Sequence, residues 1–350
     1  MTAPAPPPLG FGIFGLGMVA DFHAQAIAHA CGARLAAVAS RNAEKARAFA
    51  ARHGAAFAGT TAEELVARPD VAVVCITTPA SAHLAPALAA IRAGKHLVVE
   101  KPLEITVERT DEMLRAADAA GVKIAAIFQG RFGDGARTVK AAIDAGRFGR
   151  LVLATADVKW HRTAQYYTGT RGTWSVDGGG AFMAQAIHSI DLLQWYAGMP
   201  EEAWCRATRR VHTGIEAEDT AVAALKFPDG ALGAITATTA AWPGWQRRIE
   251  ICGEHGSAAL EDDHITRWEF REVRPEDAAI RAAKDTAALG TGASAPNAIS
   301  FVGHQRQIED LVEALRDGRE PACDGHEGRK AVALVRALYE SAESGKAVRL

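Results

Sequence analysis

Apolar and polar residues alternate in blocks along the first third of the chain. Short apolar runs predict strands, and the segments between them have the periodicity of amphipathic helices; the runs cover 10–15, 34–40, 71–79, 96–102 and 123–130. The third run, VAVVCITTP, is almost unbroken, which is typical of a strand buried on both faces of a parallel sheet. Single helices between successive strands imply right-handed crossovers. The pattern predicts an α/β domain over residues 10–130.

After about residue 130 the pattern changes to period-two alternation. The strand candidates are 150–160, 203–211, 219–227, 231–240 and 246–253. Pro228, Asp229 and Gly230 form a tight turn between two of them. Neighbouring strands joined by tight turns predict a mostly antiparallel sheet in a second domain, over residues 131–350. One face of this sheet, with Thr236, Thr238 and Thr239, is expected to pack against a second subunit.

The length, charge and cysteine pattern of the chain argue against several classes of protein. A chain of 350 residues fits two domains, and a net charge of −2 with scattered Lys and Arg argues against a nucleic-acid partner. Its apolar runs are shorter than a membrane span, and the Pro-rich residues 1–9 predict a disordered tail rather than a signal peptide. The five cysteines are widely spaced and form no CxxC motif, which predicts reduced thiols, no metal site and a cytoplasmic protein.

A glycine motif lies between the first strand and the first helix. Gly15-Leu16-Gly17-Met18-Val19-Ala20 reads G-x-G-x-x-A. Gly15 allows a tight turn, Gly17 lets the backbone approach a pyrophosphate, and the helix N-terminus favours the phosphates. In this position the motif predicts a dinucleotide site that includes Gly15, Gly17, Met18 and Val19.

The end of the second strand bears on the choice of cofactor. An Asp or Glu there would bind the ribose 2′-hydroxyl of NAD(H), but the sequence has Ser40 and Arg41. Both residues suit a 2′-phosphate. The cofactor is therefore expected to be NADP(H) or NAD(H), with NADP(H) favoured.

Four motifs together resemble the Gfo/Idh/MocA oxidoreductase family. These are GxGxxA with His23 beyond it, TTPASAH at 77–83, EKP at 100–102, and GGG…H..D within 178–191. The resemblance runs from about residue 10 to the C-terminus. It implies a Rossmann domain, a second α+β domain with a large open antiparallel sheet, and hydride transfer on a sugar, cyclitol or other polyol. A homodimer or homotetramer, without nucleic-acid or membrane partners, is expected.

Two residues are expected to carry the chemistry. Lys101 ends the fourth strand, and ligands of open parallel sheets bind at the carboxyl ends of strands. The resemblance makes Lys101 the catalytic lysine and His188 the catalytic histidine, acting as a general base. Glu100 is expected to orient Lys101. Further residues expected to bind the cofactor are Thr77, Thr78, Pro79, His83, Glu100, Lys101 itself and Gln129.

The region around His188 leaves alternatives open. Helical spacing predicts Ala184, His188, Asp191 and Trp195 on one face of a helix that begins after Gly178-Gly179-Gly180, glycines expected to let backbone approach a ligand. The family commonly has Asp or Asn at the position of Ala184, so a cofactor-binding sensor without catalysis is one alternative, and an NAD-assisted glycosidase is another. The substrate candidates are Arg162, Tyr166, Trp174 and Asp191. Arg162 suits a carboxylate or phosphate on the substrate.

Overall fold

A computed structural model describes residues 6–283 and 300–350. The chain forms two compact units. The first contains Met1–Gln129 and Phe301–Arg329, and the second contains Gly130–Ser300 and Lys330–Leu350. Residues 1–5 of the predicted tail lie outside the described residues, and Leu9 already belongs to the first strand. Within the described residues, no helix is both long and apolar enough to cross a membrane.

The first unit is built on a six-stranded parallel sheet with strand order β3-β2-β1-β4-β5-β6. Its strands are β1 (Leu9–Phe14), β2 (Ala33–Ala39), β3 (Phe57–Gly59), β4 (Val73–Ile76), β5 (His96–Val99) and β6 (Ile124–Ala126). Its helices are α1 (Met18–His29), α2 (Ala43–His53), α3 (Ala62–Val66), α4 (Leu84–Arg92), α5 (Val107–Ala120) and α9 (Val302–Asp317).

This unit confirms the predicted parallel Rossmann sheet. The sequence pattern missed β3 and α3, because an edge strand of three residues and a helix of five residues leave no clear periodicity. Helices α2 and α5 have clear sequence signals at both ends. For example, the Asn42 side chain accepts a hydrogen bond from the amide of Lys45 at the start of α2, and Gly54 ends that helix in the left-handed region.

Helix α9 lies in the first unit, which corrects the assignment of all of 131–350 to the second domain. Ile308, Leu311 and Val312 are fully buried in a core shared with α1, β1 and β2. Beyond α9, the carbonyl of Cys323 accepts a hydrogen bond from the amide of Ala126. The chain returns to the first unit because both faces of a parallel sheet must be covered, and the apolar side chains of α9 complete the cover that the preceding helices leave open.

The second unit contains an eight-stranded sheet with order β13-β12-β11-β7-β10-β9-β8-β14. The strands are β7 (Leu151–Lys159), β8 (Glu202–Thr208), β9 (Thr220–Lys226), β10 (Leu232–Thr238), β11 (Arg248–Gly253), β12 (Gly256–Glu261), β13 (His264–Phe270) and β14 (Val348–Arg349). The helices are α6 (Asp134–Asp144), α7 (Ile187–Ala197), α8 (Asp277–Ala282) and α10 (Gly325–Ser344), of which α10 begins in the first unit.

The predicted mostly antiparallel sheet is confirmed, with one exception. Strands β7 and β10 pair in parallel at the centre of the sheet, whereas β10 pairs with β9 in the antiparallel direction through the turn at 228–230. The parallel pair joins strands that are far apart in sequence, so no turn signal could reveal it. Thr239 is fully buried and is not on the predicted open face.

Candidate active site

The Gly15 turn is held against the end of β4. Gly15 has φ +97°, and a Cβ there would lie 2.7 Å from the amide nitrogen of Thr78. The hydroxyl of Thr77 donates to the carbonyl oxygens of Phe14 and Gly15. Only glycine fits this close approach of two strand ends. Of the predicted cofactor residues, Thr77 therefore shapes the glycine loop, while Thr78 donates its hydroxyl to the carbonyl of Ala82.

Two features of this unit fit a dinucleotide. Gly17 is exposed, and a Cβ built there would have no atom within 4 Å, so the backbone at the start of α1 borders open space. Met18 is exposed and Val19 half-buried beside it. Oε1 of Gln129 is buried and has no hydrogen-bond partner among the described residues. A buried amide oxygen without a donor is costly, and a ligand amide would satisfy it.

Ser40 and Arg41 follow the carboxyl end of β2, beside the Gly15 turn. The amide of Gly15 donates to the carbonyl of Ala39, which ends this strand. Ser40 is half-buried and Arg41 is exposed. Pro79, at the end of the β4 loop, is also exposed. The arginine is thus accessible to an anionic ligand at the edge where the glycine loop lies.

Glu100 and Lys101 follow directly after β5, and Glu100 faces two buried histidines. Its Oε1 lies 2.8 Å from Nε2 of His23, on α1, and 3.5 Å from Nε2 of His304, on α9. Its Oε2 accepts a hydrogen bond of 3.1 Å from the backbone amide of Lys101. We call His23, Glu100 and His304 the Glu100 cluster. It is almost wholly buried, whereas Lys101 is half-buried.

The Glu100 cluster corrects the expected cofactor contact of Glu100, because both carboxylate oxygens have protein partners. Burial alone would raise the pKa of Glu100, but the hydrogen bonds from His23 and His304 hold it well below its usual value. Burial lowers the pKa of His23, although its hydrogen bond to Glu100 opposes this. Glu100 is therefore an ionised acceptor and His23 a neutral donor at neutral pH.

His83 also has protein partners instead of the expected cofactor contact. Its side chain is buried; Nδ1 lies 3.0 Å from the carbonyl oxygen of Pro102, and Nε2 lies 2.9 Å from that of Thr78. The imidazole therefore links the loop after β4 to the loop after β5. It stabilises the surroundings of Lys101 and leaves no ring nitrogen for a ligand.

Two of the three glycines before the His188 segment, Gly179 and Gly180, pack closely against the protein itself. A Cβ at Gly179 would lie 2.2 Å from the hydroxyl of Tyr339, and a Cβ at Gly180 would lie 1.8 Å from the carbonyl oxygen of Glu218. The carboxylate of Glu218 accepts hydrogen bonds from the amides of Gly180 and Phe182. For Gly179 and Gly180 this corrects the expectation that the glycines let backbone approach a ligand, because protein atoms already lie there. Burial raises the pKa of Glu218 to about 7, although these donors oppose the shift.

His188 and Ala184 do not share a regular α-helix. Ala181–Ala186 form a π-helical segment, and α7 begins at Ile187. The interval between Ala184 and His188 therefore spans two helix types, and their common face stays a prediction. His188 is half-buried in the first turn of α7. Such π segments occur frequently at functional sites.

Arg162 and Tyr166 meet through a residue that the sequence did not indicate. The guanidinium of Arg162, only 3% exposed, donates to Oε1 of Gln185 at 2.7 Å. Nε2 of Gln185 donates to the hydroxyl of Tyr166 at 2.7 Å. Gln185 lies in the π-helical segment, three residues before His188. The family motif includes the position of its neighbour Ala184, but no motif or spacing in the sequence indicates Gln185.

The other two substrate candidates lie in different surroundings. Asp191 is buried, and both of its carboxylate oxygens accept hydrogen bonds from Arg131, at 2.8 and 2.7 Å. This bidentate ion pair replaces the predicted substrate contact of Asp191, because a buried pair of this geometry already satisfies the charge.

Trp174 packs edge-on against Tyr339, with ring centroids 4.9 Å apart. It forms part of the wall of a cavity of about 200 Å³ that Glu218 also lines.

Comparison with known proteins identifies the family. Residues 9–128 match the oxidoreductase family with an NAD-binding Rossmann fold, and residues 136–259 match the GFO/IDH/MocA C-terminal domain. The WlbA dehydrogenase from Bordetella pertussis, solved in complex with NADH and UDP-GlcNAcA, is 33% identical, with a TM-score of 0.86 over 98% of this chain and 99% of that chain. The chain belongs to the GFO/IDH/MocA oxidoreductase family.

Other members support the same assignment. The WlbA dehydrogenase from Chromobacterium violaceum, also in complex with NADH and UDP-GlcNAcA, is 31% identical, with a TM-score of 0.87 over 100% of this chain and 99% of that chain. Inositol 2-dehydrogenase from Rhizobium meliloti is 28% identical over 341 residues, 95% of this chain and 96% of its own length. These findings confirm the predicted GFO/IDH/MocA family and an NAD-binding oxidoreductase.

Proposed function

We propose that this protein transfers a hydride between a nicotinamide cofactor and the hydroxyl-bearing carbon of a sugar, cyclitol or related polyol. The observation that carries the proposal is Lys101, which follows β5 at the carboxyl edge of a parallel sheet where the glycine loop also lies. When bound, the cofactor supplies the hydride acceptor or donor. Gly15, Gly17 and Gln129 are its proposed binding residues.

The proposed acid–base chemistry belongs to two residues. In oxidation His188 takes the hydroxyl proton as a general base, and the Lys101 ammonium stabilises the negative charge that develops on the oxygen. In reduction one of these groups returns the proton. Histidine suits this role because its imidazole exchanges a proton near neutral pH.

The Arg162–Gln185–Tyr166 group favours an anionic sugar as substrate. Arg162 brings a positive charge to a buried position, with its guanidinium 5.0 Å from the ring centroid of Trp160 and 5.4 Å from that of Tyr166. A guanidinium matches the geometry of a carboxylate or phosphate, and aromatic rings suit the faces of a sugar. The UDP-GlcNAcA bound by the two WlbA dehydrogenases fits this proposal.

A substrate panel tests the function. The purified protein would be incubated with NAD⁺ or NADP⁺ and UDP-GlcNAcA, myo-inositol, glucose or an aryl glycoside, with reduction of the cofactor followed at 340 nm. Turnover of a sugar or cyclitol is expected, with the highest kcat/KM for UDP-GlcNAcA. Cleavage of the aryl glycoside without net reduction would establish the glycosidase alternative. Tight cofactor binding with no turnover on a broad polyol panel would establish the sensor.

The exposed Arg41 leads to a prediction about the cofactor. We propose that Ser40 and Arg41 contact the 2′-phosphate of NADP(H). NADPH should therefore bind about tenfold more tightly than NADH, because one charge-assisted hydrogen bond contributes a free energy of this order. Arg41→Ala should remove the preference for NADPH. Parallel fluorescence titrations of NADPH and NADH measure both effects, with exposed Arg47→Ala on α2 as the control. Tighter binding of NADH by the wild-type protein would contradict the proposal.

The open sheet face of the second unit leads to a prediction about assembly. Leu153, Trp204, Val222 and Leu232 are all at least 40% exposed, and they come from the neighbouring strands β7, β8, β9 and β10. A contiguous patch of exposed apolar side chains marks an interaction surface. We propose a homodimer or homotetramer built on this face. Light scattering at micromolar concentration should give a molar mass of two or four times 37.0 kDa. Val222→Asp should lower this mass. A wild-type mass near that of one chain would refute the assembly.

A further inference from the structure

The Glu100 cluster connects three segments of the first unit at the residue before Lys101. His23 comes from α1, Glu100 from the end of β5, and His304 from α9. The imidazoles of His23 and His304 cross edge-to-face, with ring centroids 5.2 Å apart. Both approach the same carboxylate oxygen, while the second oxygen accepts the backbone N–H of Lys101. The carboxylate is thus held from both sides.

The chemistry of the partners fixes where the protons lie. An ionised carboxylate only accepts hydrogen bonds, so the Nε2 atom that each imidazole turns toward Glu100 carries the hydrogen. The Nδ1 atoms of His23 and His304 are buried and have no hydrogen-bond partner among the described residues. A buried lone pair tolerates this better than a buried N–H donor does. The Nε2–H tautomer therefore satisfies the Glu100 cluster.

We propose that His23 and His304 are positioning residues that hold the Glu100 carboxylate in one orientation and thereby fix the backbone of Lys101. The inference rests on the proposed function, in which Lys101 acts on the substrate oxygen. Lys101 carries its ammonium on a flexible four-carbon stem, so the position of its backbone limits where the charge can lie. Without the donor from α9, His23 alone restrains Oε1, and the carboxylate gains freedom to turn away from the Lys101 amide.

A divalent metal is the alternative occupant of the Glu100 cluster. Two imidazoles and one carboxylate are a ligand set that zinc uses, and the three ligand atoms lie within 4.8 Å of one another. However, ligand atoms around a tetrahedral zinc are about 3.3 Å apart, as bond lengths of about 2.0–2.1 Å require. The 2.8 Å separation of His23 Nε2 and Glu100 Oε1 is that of a direct hydrogen bond. The distances favour a hydrogen-bonded cluster.

Two substitutions of His304 separate positioning from packing. His304→Leu keeps an apolar side chain of similar bulk but removes the donor, whereas His304→Gln keeps an N–H donor near the position of Nε2. On a substrate that the wild type turns over, His304→Leu should lower kcat about 10- to 100-fold, the lower part of the range for losing a positioned catalytic group, with KM for cofactor and substrate changed less than about threefold. His304→Gln should restore most of kcat. His326→Leu, at a histidine with a 60% exposed side chain, is the control.

The outcomes separate this inference from the proposed function. If Lys101→Met loses turnover but His304→Leu keeps it, the positioning role is wrong and the function stands. If Lys101→Met keeps turnover, the proposed chemistry itself fails. A rise in KM at constant kcat, or a His304→Gln variant as slow as His304→Leu, would assign His304 a merely structural role.

A measurement on the wild-type protein tests the Glu100 cluster even where a variant does not fold. Nitrogen-15 NMR of the histidine ring nitrogens should show His23 and His304 as Nε2–H tautomers. An Nδ1–H tautomer at either ring would contradict the hydrogen-bonding scheme. Metal analysis of the purified chain should find no stoichiometric zinc, and one equivalent removed by His304→Leu would overturn the proposal in favour of a metal site.

Discussion

Replacing Lys101 by methionine should lower kcat by about 10²- to 10⁴-fold on a substrate that the wild-type protein turns over, the range for losing a positioned proton donor or oxyanion partner. Methionine keeps the length and the apolar stem of lysine but removes the ammonium. Cofactor affinity should change little, because the glycine loop and Gln129 are untouched. Steady-state kinetics at 340 nm and a fluorescence titration of the reduced cofactor measure the two effects separately.

Lys45→Met is the matched control for this experiment. Lys45 is exposed on α2, and its backbone amide, which the substitution preserves, donates to the Asn42 cap. This variant should keep wild-type kcat and KM. Full activity of Lys101→Met on a true substrate would refute the proposed role of the EKP segment. Lys101 would then be only the half-buried end of a strand.

His188→Ala should also lower kcat by about 10²- to 10⁴-fold, because it removes the proposed general base. The losses in Lys101→Met and His188→Ala should not add in the double variant, since residues that act in one proton transfer behave as a unit. His161→Ala, at another half-buried histidine of the second unit, is the control. The kcat values of the wild-type protein and of these four variants would be compared on one substrate. Additive losses would show two independent effects and contradict a shared step.

The proposed base has a further signature in the pH profile. Oxidation requires His188 to be neutral before it accepts the proton, so the wild-type kcat/KM should fall at acidic pH. His188→Ala should remove that acidic limb from its remaining activity. An acidic limb that persists unchanged in His188→Ala would assign the titration to another group.

Much of the first unit could be predicted because its signals are local. Apolar runs separated by amphipathic helices imply parallel strands, and the G-x-G-x-x-A segment requires the turn that Gly15 makes at φ +97°. The position of Lys101 after β5 followed from the same pattern. Short parallel strands with single helices between them can be connected in few ways.

The candidate site was predicted less completely, because several of its residues depend on partners elsewhere in the chain. His83 and Glu100 were expected at the cofactor, but their side chains bind the carbonyl of Pro102 and the imidazole of His23. Asp191 pairs with Arg131, and Gln185 joins Arg162 to Tyr166. A sequence shows which groups can form hydrogen bonds but not which neighbours packing brings within 3 Å.

The sequence by itself determined the alternation of the longer strands and helices in the first unit, the glycine turn and the place of Lys101 at a strand end, because these depend on periodicity and on the backbone freedom of glycine. Only the tertiary structure decided that α9 returns to the first unit and brings His304 to Glu100, or that β7 and β10 pair in parallel. These contacts join distant segments. Their free energy comes from burying apolar surfaces and satisfying buried polar groups on both partners at once, which neither segment encodes alone.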